Sequence, residues 1–75
     1  MTKQKYLYIT FFVTSEAIAT EQAFKKNDIE GKLVPVPRVL STGCGIAWRG
    51  IPEERQKIET VLSNNGIEWD KIEEL

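Results

Sequence analysis

The chain has 75 residues, 41% of them hydrophobic and 28% charged, with a formal net charge of −1. That describes one small domain of ordinary globular composition, short enough that nearly every large apolar side chain must join the core. So small a net charge gives no global attraction to nucleic acid or to an anionic membrane.

Tyr6 to Val13 is rich in aromatic and β-branched residues and predicts a central strand. With period 2, Leu7, Ile9, Phe11 and Val13 form a purely apolar face for the helices, and Tyr6, Tyr8, Thr10 and Phe12 form an aromatic, partner-facing one. The run is too short for a transmembrane helix and lacks a signal-peptide cleavage site at its flanks. Thr14 or Ser15 is the expected N-cap of a helix that follows, with Glu16 in its first turn. Ala17, Thr20, Ala23 and Phe24 give that helix an apolar stripe, and it ends near Asn27 and Asp28. Ile29 to Gly31 connects it to the next strand.

Between Lys32 and Arg38, prolines stand two residues apart, at Pro35 and Pro37. In a strand, both missing N–H groups fall on the same side, while Val34, Val36 and Arg38 still donate on the other. This places the strand at a sheet edge with its proline side outward. After a loop around Leu40 to Gly43, residues 44 to 49 alternate Cys44, Ile46 and Trp48 against Gly45, Ala47 and Arg49, as in the return strand of a hairpin. Pro52, Glu53 and Glu54 suit a first helical turn, Ile58, Val61 and Leu62 form a stripe, and Asn65-Gly66 stops the helix. Ile67 and Trp69 alternate with Glu68 and Asp70 in a short last strand, with the acidic stretch Glu68 to Leu75 in water. The order β-α-β-β-α-β makes a single α+β domain over residues 1–75. It is a ferredoxin-like two-layer sandwich, with a four-stranded antiparallel sheet and two helices on one face.

Chemistry is restricted by what is missing. One cysteine cannot form an internal disulfide, and with no histidine there is neither a Ser-His-Asp nor a Cys-His site, nor a zinc ligand set. No cofactor and no metal are expected, and a reduced, cytoplasmic setting is the default. The charge distribution is more telling than its sum. Residues 31–52 carry Lys32, Arg38 and Arg49 and no acid, whereas residues 53–75 carry seven acids against three bases. Cys44 lies in this basic segment, between Gly43 and Gly45, which leave a sulfur uncovered. Two readings of Cys44 follow: a small apolar side chain tucked under the hairpin, or an accessible thiol whose anionic form Arg38 and Arg49 favour. No general base accompanies it, so the chemistry open to it is exchange with a partner that supplies the activation, and a stand-alone enzyme is the weaker expectation.

The succession of a Phe-rich first strand, Ser15-Glu16-Ala17-Ile18, Leu33-Val34-Pro35-Val36-Pro37-Arg38 and Ser41-Thr42-Gly43-Cys44-Gly45-Ile46-Ala47 resembles a family of small bacterial selenium/sulfur carrier-like domains. The resemblance covers about residues 6 to 72. It implies that Cys44 is the carrier thiol, holding sulfur or selenium as a persulfide or selenosulfide. Arg38, Ser41, Gly43, Gly45 and Arg49 are then the residues around the cargo. The partners it implies are donor and acceptor proteins such as a cysteine desulfurase. The Cys-Pro-x-Pro motif of other small sulfur carriers is absent, so likeness to those is one of role. The alternative from the residues is a non-catalytic interaction module, dimeric through its aromatic sheet face.

Overall fold

The computed structural model describes residues 5–40 and 44–75. Strand β1 (Leu7–Thr10) runs into helix α1 (Thr14–Lys26), which is followed by β2 (Gly31–Pro35) and β3 (Ile46–Gly50). A single 3-10 turn (Pro52–Glu54) then leads into α2 (Arg55–Asn64), and β4 (Lys71–Glu74) completes the sheet. The sheet order is β2-β3-β1-β4 with every neighbouring pair antiparallel. This is the expected ferredoxin-like arrangement. The paired prolines are at an edge as anticipated: the Val36 amide donates inward to the Gly45 carbonyl, so Pro35 and Pro37 turn their missing donors outward. The strand itself ends at Pro35, however, and Arg38 belongs to the turn that follows.

The apolar stripes assemble as their spacing dictates. Leu7, Ile9 and Phe11 are fully buried and meet the stripe of α1 (Ala17, Thr20, Ala23, Phe24) and that of α2 (Ile58, Val61, Leu62). Trp48 stands at the centre, 1% exposed, with Phe24 edge-on to it at a centroid distance of 4.6 Å. Its ring also explains the pair Gly31 and Gly50, which face each other across β2 and β3. A Cβ on Gly31 would fall 2.2 Å from the ring, and one on Gly50 2.1 Å, so only glycine leaves room for the indole.

Three expectations are corrected. The first strand is four residues long, not eight, because the chain must turn after Thr10 to enter α1. Val13 is thereby removed from the core, becomes the N-cap of α1 and is 51% exposed. Neither Thr14 nor Ser15 caps the helix, and no side chain bonds the cap. The last strand begins at Lys71, not Ile67, since its register is fixed by pairing Thr10 with Lys71 and Leu7 with Glu74. Ile67 is instead a buried core residue, tied by its amide to the Leu62 carbonyl. Glu16, expected only to complement the helix dipole, accepts a 2.8 Å hydrogen bond from the Glu68 amide and so ties the first turn of α1 to the approach of β4.

The sheet face away from the helices is not simply an open aromatic surface. Tyr6 and Tyr8 are half-buried, while Thr10 and Ala47, opposite each other across β1 and β3, are fully buried. Leu40 is also buried but stands outside the main core, and the Lys71 ammonium lies 3.5 Å from its carbonyl. Lys71 is the cross-strand partner of Thr10, so this contact ties the turn over residues 38–40 to that face.

Candidate functional site

Cys44 owes its position to two features of the chain. Paired residues of β1 and β3 sum to 57 along the ladder, so continuing the register brings residue 44 opposite residue 13. Gly45 has φ +76°, a conformation that glycine adopts without strain, and it breaks the strand alternation just before Ile46. Cys44 is therefore released from the regular ladder that buries Trp48. The outcome lies between the two sequence readings: the thiol is half-buried, and its Sγ is 3.7 Å from the Thr14 Oγ1, within hydrogen-bonding reach of sulfur.

That contact sets the sulfur against the first residue of α1, where the helix carries its partial positive charge. Several large apolar side chains are exposed in the segments that adjoin the two residues along the chain. Phe12 and Val13 precede Thr14, Ile18 lies one turn further along α1, and Val39 sits in the turn leaving β2. All four are exposed, Phe12 at 61% and Val39 at 77%. Among the described residues the fifth large apolar side chain left in water is Leu75, at the chain end. Exposed apolar side chains that form one contiguous patch are the usual mark of a surface that meets another molecule.

The other anticipated site residues divide. Arg38 is exposed in the turn at the Cys44 end. Gly45 borders the thiol, and a Cβ there would meet nothing within 4 Å, so its backbone conformation rather than crowding requires glycine. Ser41 and Gly43 lie outside the described residues. Arg49 is carried away from the Cys44 end: the three steps from Ile46 to Arg49 along β3, at roughly 3.3 Å each, span about 10 Å. Its guanidinium rests over the Tyr6 ring, 4.5 Å from the centroid. Sequence reasoning missed Thr14, because its contact with Cys44 joins segments thirty residues apart.

Among the described residues no group of His, Cys, Asp and Glu is arranged to hold a metal ion, and no helix is long and apolar enough to cross a membrane. The model of the family described as "Putative Se/S carrier protein-like" matches residues 6–74. Neither the curated proteins nor the solved structures give a match.

Proposed function

Since the chain belongs to the Se/S carrier protein-like family, we propose that it carries sulfur or selenium between proteins on Cys44. The observation that supports this most directly is the half-buried thiol, the only one in the chain, set against the start of α1. The step is an exchange at sulfur. The Cys44 thiolate attacks the outer sulfur of a donor persulfide, a new S–S bond forms on Cys44, and the donor leaves as its thiolate. One sulfane sulfur changes hands, and no oxidant or reductant is consumed. A donor selenosulfide reacts in the same way through its outer selenium.

The start of α1 offers a negatively charged cargo a favourable field. Attack requires the donor's sulfur-bearing loop to reach Cys44 directly. Phe12, Val13, Ile18 and Val39 supply apolar surface on which a donor or acceptor protein rests while the sulfurs meet. Arg38 is the cation nearest this rim along the chain and is the candidate to steer an anionic cargo. Arg49 plays no part in this reading.

The test is intact-mass measurement after incubation with a cysteine desulfurase and cysteine. A single added sulfur, about 32 Da, is expected on the wild type and not on Cys44→Ala, as thiolate chemistry at one site requires. An unmodified wild type, or the same adduct on Cys44→Ala, would refute the reading.

A further inference from the structure

The opposite end of the same hairpin carries a second arrangement that the carrier reading does not use. Lys32 on β2 and Arg49 on β3 are direct cross-strand partners. Val36 and Gly45 form a hydrogen-bonded pair, and such pairs recur at every second residue. Lys32 and Arg49 are therefore one too, with their backbones about 5.5 Å apart. Like charges directly opposite each other on a sheet face cost stability. Neither cation joins an ion pair among the described residues, where the two ion pairs are Arg55–Glu59 and Lys71–Asp70. Arg49 is moreover positioned: its guanidinium carbon lies over the Tyr6 ring, 4.5 Å from the centroid.

These two side chains open into a cleft of about 340 Å³, lined also by Tyr6, Gly31 and Gly50, with Glu30 as its one acid. That volume is within the range of small-molecule sites, at its lower end. We propose that this cleft binds a small phosphate-bearing molecule through Lys32 and Arg49. A doubly charged phosphate head offsets both cations and removes their mutual repulsion. It takes a bidentate contact from the guanidinium edge and a point charge from the ammonium. With Glu30 the lining keeps one net positive charge, so binding weakens as salt is raised. The site lies toward the far end of β3 from Cys44 and does not depend on the thiol.

The experiment is a titration of the full ¹⁵N-labelled chain with ribose 5-phosphate, with ribose and succinate as separate arms. The expected result is saturating shifts at the amides of Gly31, Lys32, Arg49 and Gly50 with ribose 5-phosphate and none with ribose. In Lys32→Gln, an exposed position whose change leaves the fold intact, and in Arg49→Gln, binding weakens about tenfold or more. Shifts of equal size around Lys25, Lys26 and Lys57, or undiminished binding by Lys32→Gln, would overturn the site. Tighter saturation by succinate would overturn the phosphate assignment.

Discussion

The two ends of the β2–β3 hairpin share one sheet, one core tryptophan and one basic stretch of sequence, yet they present opposite chemistry. At the Cys44 end, a half-buried sulfur meets a helix start among exposed apolar side chains. At the Lys32–Arg49 end, two cations with no ion pair among the described residues face a cleft, with a tyrosine beneath one of them. The contrast teaches that positive charge clustered in sequence is not clustered in space once it lies along a strand. Each strand residue advances the chain about 3.3 Å, so a few of them carry a cation away from the sulfur it was expected to serve.

The sharpest way to break the comparison is to remove each end in turn. Cys44→Ala should lose the sulfur adduct completely, whereas Arg49→Gln should retain it, both read by intact mass after desulfurase treatment. Loss of the adduct in Arg49→Gln would rejoin the two ends into one site. Next in size is the element they share. Trp48→Ala should cost about 3–5 kcal/mol by chemical denaturation, a large part of the stability of so small a domain. Gly50→Ala, which drives a methyl group into the indole ring, should cost about 1–3 kcal/mol. Full stability in Gly50→Ala would mean that the ring has room the structure denies it.

A smaller effect separates the apolar rim from the thiol itself. Val39→Asp and Phe12→Asp should slow sulfur loading by a protein donor about tenfold, in keeping with the loss of one apolar anchor. Labelling of Cys44 by iodoacetamide should be unchanged in both variants, and equal slowing of the two rates would refute a role in docking. The smallest effect belongs to the cation pair. Lys32→Gln should raise stability by about 0.2–1 kcal/mol at low salt, and the gain should fade as salt screens the repulsion. A loss of stability there would show that Lys32 makes a favourable contact.

Much of this architecture was legible before any coordinates. Local patterns decided the stripes of both helices, because Ala17, Thr20, Ala23, Phe24 and Ile58, Val61, Leu62 recur at the helical period and must turn one face inward. Two prolines at i and i+2 placed β2 at the edge, since their lost donors fall on one side of the strand. The lone cysteine without histidine narrowed the chemistry to exchange with a partner. The limits of β1 and β4 were not legible, because alternation continued past the residues that actually pair.

What only the tertiary structure decided were the relations across strands and between layers. The packing of the chain before β3 beside the start of α1 set Cys44 against Thr14, thirty residues earlier in the chain. The β2–β3 register put Lys32 beside Arg49 and moved Arg49 away from the thiol. The turn after β2 buried Leu40 on a face that its sequence left open. Residue type and period fix which side of an element is apolar, since that depends on neighbours a few positions away. Which side chains then meet depends on pairing between distant segments, and a shift of one residue in a strand register would exchange every partner.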